Sequence, residues 1–387
     1  MNAETERWLA LSLVERVGPR TLTLLLERFG SSTALFASPV AEISRRCGLS
    51  PERAQAILDA LRSPALIREK EHLARHGVRL IRRFELEYPP TLESIRLPPS
   101  LLYCKSSKPL PTGPALAVVG TRRNTRYGEK TVRRLIEEIA ALRPDMVIVS
   151  GLARGIDTIA HAQALECGLP TLAVLAGGLA EVYPPENREL AERIVDGGAL
   201  LTEFSMTRAP RGNNFAIRNR IISALSQGVL VAEAGEESGA LITAGFAQSQ
   251  GRPVVTIPGN LDTPSFAGCN RLIQTGQARL ITRGEEILAE LRKGPQAAIR
   301  QMDLQLSESR RRAAPSTESG IPSGALTLPP LEGDAGRIAA ALARGPLHPN
   351  DLAADLALPM EKLAGLLLEL ELSGDIVQTP ENFYALA

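Results

Sequence analysis

Residues 146–177, MVIVSGLARGIDTIAHAQALECGLPTLAVLAG, hold two short apolar runs, MVIVSG (146–151) and TLAVLAG (171–177), with a helical pattern between them. A short, continuous apolar run bounded by turn residues reads as a strand buried on both faces. A helix between two such runs makes them parallel neighbours. The unit recurs along the chain. ALAVVG (115–120) precedes it, and ALLTEF (199–204), GVLVAEA (228–234) and PVVTIPG (253–259) follow, each leading into a helical pattern. Runs alternating with amphipathic helices in this way predict a doubly wound α/β fold with a mainly parallel sheet. A last strand over Arg279–Thr282 and a helix over Glu285–Leu291 close the unit near Gly294.

Outward from this core the pattern changes. Residues 5–65 read as short helices, with Leu9, Leu13 and Val17, then Leu22, Leu25 and Leu26, at helical spacing. The turn Val17-Gly18-Pro19-Arg20 joins two of them, and a similar pair flanks Cys47-Gly48-Leu49-Ser50. A small helical unit over 1–70, helix–hairpin–helix or sterile-alpha-motif-like, follows. Such hairpins can offer N–H groups to a phosphate, but a packing module ranks first. The core unit is placed at 71–294. Its first part, 75–112, holds extended pieces at Val78–Ile81 and Leu101–Tyr103, broken by Pro89, Pro90, Pro98 and Pro99. Residues 295–332 lack aromatic residues and are rich in Ser, Pro and Gln, which predicts a flexible linker with Arg310-Arg311-Arg312 as a solvated charge cluster. Residues 333–387 regain periodicity as three helices and two short strands, the pattern of a winged helix. Its third helix, Met360–Leu372, is leucine-rich and acidic with Lys362 as its one basic residue. That composition favours a protein-contact or regulatory role over reading a major groove.

The bulk composition narrows the options. With 44% hydrophobic and 22% charged residues the chain has globular composition, and Lys+Arg 44 against Asp+Glu 43 leaves no global basic character. A nucleic-acid role must therefore rest on a local patch. Cys47, Cys104, Cys167 and Cys269 are scattered and read as reduced thiols of a cytoplasmic protein. His72, His76, His161 and His348 have no ligand spacing, so neither a metal nor another cofactor is expected. The start, MNAETERWLALSLVERVG, is not a signal peptide, and no apolar run is long enough for a membrane span.

In an open α/β sheet, ligands bind beyond the carboxyl ends of the strands. The loops there are Gly120–Gly128, Ser150–Asp157 with Gly151 and Arg154, Gly177-Gly178, and Glu237-Ser238-Gly239. Between the fourth and fifth strands, RAPRGNNFAIRNR (208–220) carries four arginines and no carboxylate. Asn213 and Asn214 are candidate caps of a helix running to about Ser226. Arginines near a helix N-terminus oppose its dipole unless an anion is bound there. Arg122, Arg154, Arg218 and Arg220 are thus candidate cations around one crevice. Arg218 and Arg220 lie about 200° apart on a helix, so one faces the ligand and the other braces a loop. Phe215 either stacks on a base or staples the helix start into the core. GxxxxGK[ST] is absent and no GxGxxG follows the first strand, against a P-loop ATPase and a typical dinucleotide enzyme. Ser150, Asp157 and His161 do not make a triad; Asp157 and His161, at i and i+4, read as a stabilising pair.

These residues also match a known family. The chain resembles the DNA-processing protein A (DprA, or Smf) family over nearly its whole length. The resemblance rests on Val119-Gly120-Thr121-Arg122 with Tyr127-Gly128, Ser150-Gly151-Leu152-Ala153-Arg154-Gly155-Ile156-Asp157 with His161, and Tyr183-Pro184-Pro185-Glu186-Asn187. It continues through Asn214-Phe215, Arg218-Asn219-Arg220-Ile221-Ile222, Ser238-Gly239-Ala240-Leu241-Ile242-Thr243-Ala244, Pro258-Gly259 and Gly268-Cys269-Asn270-Arg271-Leu272-Ile273. It implies a Rossmann-like DNA-binding core, a sterile-alpha-motif-like N-terminal unit and a C-terminal winged helix. It further implies a dimer, not an enzyme, that binds single-stranded DNA, protects strands taken up in natural transformation and helps load the RecA recombinase. Arg122, Phe215, Arg218, Arg220 and the Ser238-Gly239 turn are the contacts it implies. Two departures stand out. Ala176-Gly177-Gly178 replaces the usual Gly-x-Gly after the third strand, and Gly268-Cys269-Asn270 replaces Gly-Thr-Asn, which removes a hydroxyl. The competing reading is a nucleotide-processing enzyme such as a nucleoside monophosphate phosphoribohydrolase, for which the sequence offers no acid/base pair.

Overall fold

The structure is a computed structural model that describes residues 1–15, 17–293, 331, 333–379 and 383–386. The chain begins with six short helices, each with a local reason to start. In α1 (Ala3–Ser12) the Asn2 side chain accepts from the Thr5 N–H at 2.8 Å. Then come α2 (Pro19–Phe29), α3 (Ser32–Ala37), α4 (Val40–Cys47), α5 (Pro51–Asp59) and α6 (Pro64–His76). Three of these open on proline, whose fixed φ suits the first helical position. Both expected hairpins form, at Val17–Arg20 and at Cys47–Pro51. The last helix, capped by Ser63, is stopped by left-handed Gly77. The helices do not close a core of their own. Trp8, Leu25 and Leu26 share one buried cluster with Tyr103, Leu175 and Leu200 of the sheet. They are the layer on one sheet face.

The connector supplies β1 (Arg79–Arg82) and β2 (Leu101–Lys105). The apolar runs then become β3 (Ala115–Gly120), β4 (Val147–Ser150), β5 (Thr171–Val174), β6 (Gly198–Thr202), β7 (Gly228–Glu233) and β8 (Val254–Thr256), with β9 (Arg279–Leu280) last. Between them lie α7 (Arg126–Leu142), α8 (Ile156–Glu166), α9 (Arg188–Gly197), α10 (Gly212–Ala224), α11 (Gly239–Ser249) and α12 (Ala267–Gln274), and α13 (Gly284–Leu291) follows β9. The sheet order is β1-β2-β6-β5-β4-β3-β7-β8-β9. All pairs from β6 to β9 are parallel, and β1–β2 and β2–β6 are antiparallel. This is the expected Rossmann-like, doubly wound α/β sheet, and the chain reverses direction across it between β3 and β7. A topological switch point at that place leaves a crevice beyond the strand ends.

The C-terminal unit holds α14 (Gly333–Leu342), α15 (Pro349–Leu356), α16 (Met360–Ser373) and an antiparallel pair, β10 (Ile376–Gln378) and β11 (Tyr384–Leu386). Three helices and a hairpin make the expected winged helix. Its small core is built from Ile338, Leu352, Leu363, Leu367, Leu370 and Ile376. Its third helix lies on α11 of the Rossmann-like unit, with Gly365 against the backbone at Gly245 and Phe246. The linker expected over 295–332, with Arg310–Arg312, lies outside the described residues except for Leu331.

Candidate functional site

The switch point opens into a crevice of about 660 Å³ lined by Gly120, Arg122, Arg123, Phe215, Arg218 and the Ser238-Gly239 turn. Beside it, at the end of β5, a smaller pocket is walled by Arg122, Gly151, Arg154, Gly177, Gly178, Tyr183 and Phe215. Loops from five strand ends thus converge on one place.

Close backbone approach makes this possible. Thr121 N–H donates to the Glu233 carbonyl at 2.7 Å, and Ile156 N–H to the Thr121 carbonyl at 3.2 Å. A side chain at Gly120 would put its Cβ 2.6 Å from Ile156 Cγ1, and one at Gly151 would put it 2.1 Å from Arg218 Nη1. Gly155, at φ 75°, holds a backbone conformation that L side chains rarely adopt. The β4–α8 loop is tied down by Asp157, whose Oδ2 accepts from Gly151 N–H at 3.2 Å and Ala153 N–H at 3.3 Å. The departure at Ala176-Gly177-Gly178 has a similar explanation. Gly178 N–H donates to the Arg208 carbonyl at 2.8 Å, and a Cβ there would lie 2.0 Å from the Met206 carbonyl oxygen. These glycines seat the loop that leads into α10.

Phe215 and Arg122 form the centre of the site. The Arg122 guanidinium sits over the Phe215 ring, 4.7 Å from its centroid, and Arg218 approaches the same ring at 6.0 Å. Tyr183 meets Phe215 edge-on at 6.2 Å. Arg122, Arg123 and Arg126 are exposed, and no carboxylate pairs with them among the described residues. Arg154, also exposed, pairs with Glu186. An anion at this edge therefore meets uncompensated positive charge on one side and an aromatic face on the other.

The two arginines of α10 part company as their spacing requires. Arg218 faces the crevice but is 4% exposed. Its Nη1 donates to the carbonyls of Gly151, at 2.6 Å, and of Val174, and its Nε to Asn219 Oδ1 at 3.2 Å. Burial pushes its pKa down to about 10, Asp157 works against that fall, and Arg122 adds to it, so it stays charged at neutral pH. Arg220 turns to the other side, outside the crevice. Its Nη2 holds Glu203 Oε2 at 2.5 Å and its Nη1 donates to the Leu97 carbonyl at 2.8 Å. It is the brace.

Other expected site residues lie beneath the surface. Ser150 is fully buried, its Oγ donating to the Val118 carbonyl at 2.6 Å. Asn214 is 4% exposed and donates to the Ala209 carbonyl at 3.2 Å. Neither it nor Asn213 caps α10. Arg211 occupies that position without a side-chain cap, because the helix starts at Gly212. The i,i+4 pair of Asp157 and His161 does not form either. Asp157 turns to the loop N–H groups, and His161 Nδ1 lies 2.7 Å from Thr171 Oγ1. Burial, with Arg218 nearby, drives the imidazole pKa down to about 3, so it is neutral. The missing hydroxyl at Cys269 leaves a buried thiol 3.8 Å from the Val231 carbonyl. The sequence reading overlooked Tyr183 as a second aromatic on the rim and Arg123 and Arg126 as free cations. Their signals were the aromatic just ahead of Pro184-Pro185 and the density of arginine after β3.

Comparison with known proteins bears on this site. Residues 79–292 match the family model described as DNA recombination-mediator protein A, residues 322–382 that of the DprA winged helix domain, and residues 9–63 that of a SAM-like helix-hairpin-helix tandem. Protein Smf of Synechocystis sp. is 33% identical over 397 residues, covering 99% of both chains. DNA processing protein DprA of Bacillus subtilis is 41% identical over 229 residues, 59% of this chain and 76% of that one. The structure of DprA from Streptococcus pneumoniae superposes with a TM-score of 0.64 at 33% identity, covering 75% of this chain and 98% of that one. DprA from Helicobacter pylori gives 0.51 at 30% identity, covering 57% and 98%. With a match along its full length and one in each of its three regions, the chain belongs to the DNA-processing protein A (DprA/Smf) family.

Proposed function

We propose that the chain binds single-stranded DNA along the switch-point crevice, without cleaving or modifying it. The observation that carries this reading is the uncompensated Arg122 guanidinium lying on the Phe215 ring at the mouth of the crevice. A strand offers a phosphate to the first and a base to the second, which is how single strands are held without sequence preference. Gly120, Gly151, Ser238 and Gly239 let the backbone come close to the strand, Arg154 adds charge from the neighbouring loop, and Arg218 fixes the floor. Ser150, Asn214 and Arg220 support these groups from behind. The relative from Helicobacter pylori, whose structure concerns a unique single-stranded DNA binding mode, supports the same assignment. From the family we also infer a cytoplasmic homodimer that protects incoming strands and assists RecA loading in transformation. The division into units at 1–70, 71–294, 295–332 and 333–387 belongs to the same reading.

No specific observation favours the phosphoribohydrolase alternative. Of the carboxylates lining the crevice, Asp157 is held by loop N–H groups and Glu237 is exposed on the rim, so the two do not form a buried acid/base pair. Fluorescence anisotropy with oligo-dT and with a duplex of equal length tests the proposal. Tighter binding of the single strand is expected; equal binding, or none, at modest salt overturns it.

A further inference from the structure

The docked winged helix is held by an ion pair that looks like an anion site in use. Asp375, just after α16, splits its carboxylate between two arginines of the rest of the chain. Its Oδ2 meets Arg96 Nη2 at 2.5 Å and its Oδ1 meets Arg20 Nη1 at 3.2 Å. Arg20 also donates to the Ser373 carbonyl. Two guanidiniums converging on two oxygens of one anion is the arrangement that phosphate recognition uses. One donor in it is left over: Arg96 Nε is buried and has no partner among the described residues. A carboxylate and a strand phosphate each offer two charged oxygens, and the phosphate adds ester oxygens as weaker acceptors for that donor.

A cleft of about 490 Å³ is lined by Pro19 and Leu97, the chain neighbours of these arginines, by Arg208, by Arg220 with its partner Glu203, and, from the winged helix, by Leu372. Arg208 is exposed, and its carbonyl is the one that seats Gly178, a wall of the small pocket beside Phe215. The cleft therefore begins where the crevice ends. The winged helix over it is strongly acidic, with eight carboxylates against three cationic side chains between residues 333 and 387.

We propose that Arg20 and Arg96, approached past Arg208, form a second phosphate-binding station for the strand, and that the winged helix occludes it by presenting the Asp375 carboxylate where a phosphate would sit. This rests on the strand reading of the crevice. A strand that only fills the crevice leaves the latch alone. A longer one reaches the cleft, displaces Asp375 and releases the winged helix. Displacing Asp375 removes the charged contact on Arg20 and Arg96, and the bound phosphate then faces the acidic winged helix with like charge.

The test compares a short oligo-dT that fills only the crevice with one several times longer, on the full chain and on Asp375→Asn. The substitution keeps side-chain size and removes the charge. The long strand should bind the variant several-fold more tightly than the unaltered chain, and on the variant its salt dependence should be steeper than the short strand's by roughly 1.4, or about 0.7 for each of two added phosphate contacts. The short strand should bind both proteins equally. Adding Arg20→Ala and Arg96→Ala to the variant should abolish the gain. Equal affinity of the two proteins for the long strand overturns the proposal, as does a gain that survives loss of both arginines. Arg122→Ala separates the two claims: short-strand binding that ignores this change sinks the crevice reading, while the length effect judges the latch. If Asp375→Asn does not fold, a fluorophore pair spanning α11 and the winged helix in the otherwise unaltered chain decides. Separation with the long strand alone supports the latch, and no separation with either strand refutes it.

Discussion

The carboxyl edge of the sheet and the C-terminal winged helix are both shapes that proteins use to hold DNA, yet they carry opposite charge and opposite exposure. At the edge, Arg122, Arg123 and Arg126 stand in solvent with no carboxylate paired to them among the described residues. In the winged helix, the helix that would enter a major groove is acidic and laid against α11. Affinity for a polyphosphate comes first from unpaired positive charge at the surface, so the shared architecture separates into one surface fit for DNA and one that resembles it. Fold alone does not assign the role; the site does.

The largest effect should come from the floor of the crevice. Arg218→Ala removes a buried guanidinium and leaves the Gly151 and Val174 carbonyls without their donor and Asp157 without its neighbouring charge. Breaking a buried charged network in this way costs about 3–5 kcal/mol, read as a fall in the midpoint of urea unfolding. A loss of strand binding without a loss of stability would instead make Arg218 a direct contact.

Next comes the interface that keeps the winged helix in place. Glu369 on α16 is buried on docking, which raises its carboxyl pKa to about 7, with Arg220 and Arg96 pulling the other way. The undocked carboxyl has its ordinary value near 4.5. Docking therefore takes up a proton. Its full strength is present below the undocked value, falls as pH rises, and has been lost to the extent of about 3 kcal/mol once pH passes 7. Fluorophore separation across α11 and α16 should follow that curve, and Glu369→Gln should flatten it. A curve of the same shape in the Gln variant assigns the titration to another group.

The sheet and the winged helix differ also in how much of each was legible. Continuous apolar runs are unambiguous where strands are buried on both faces, so β3 to β8 could be placed from residues such as Leu116, Ile148 and Leu230 alone. The 3.6-residue period and the chain order likewise identified the three C-terminal helices. At the site, the crevice loops, Phe215 and the divergence of Arg218 from Arg220 followed from helical geometry. Burial did not. Nothing in RNRII tells that Arg218 points to a carbonyl cage, or that Arg220 finds Glu203, because those partners come from distant loops. Asn214 fails as a cap for a related reason: the cap position is set by where the loop from β6 lands, and it lands one turn early. Tertiary partners, not local preference, decide these positions.

On the crevice side, Phe215→Ala should lose one stacking platform, worth roughly 1–3 kcal/mol of strand binding. Phe215 is only half-buried, so stability should change much less than in Arg218→Ala. Anisotropy at fixed salt checks it. Unchanged affinity together with a large loss of stability would return Phe215 to the staple role. Arg122→Ala should leave folding within about 0.5 kcal/mol, as exposed substitutions do, while lowering the salt slope of single-strand binding by roughly 0.7.

The smallest effect is expected where a duplex-reading winged helix would predict a large one. Lys362 is the one basic residue of α16, and its Nζ is committed to Asp334 at 2.6 Å, in a pair that also involves Arg337. In a major-groove reader this lysine would carry the phosphate contact of the recognition helix, and Lys362→Ala would cut duplex binding and its salt dependence together. Here the ammonium is spent on a carboxylate of its own unit, and the helix around it is acidic. Lys362→Ala should therefore cost about 0–1 kcal/mol of local stability, the range of a partly exposed pair, and leave binding of single strand and duplex unchanged. A selective loss of duplex binding would give the winged helix a DNA-reading role after all, and the contrast between the two surfaces would become one between single-strand and duplex sites.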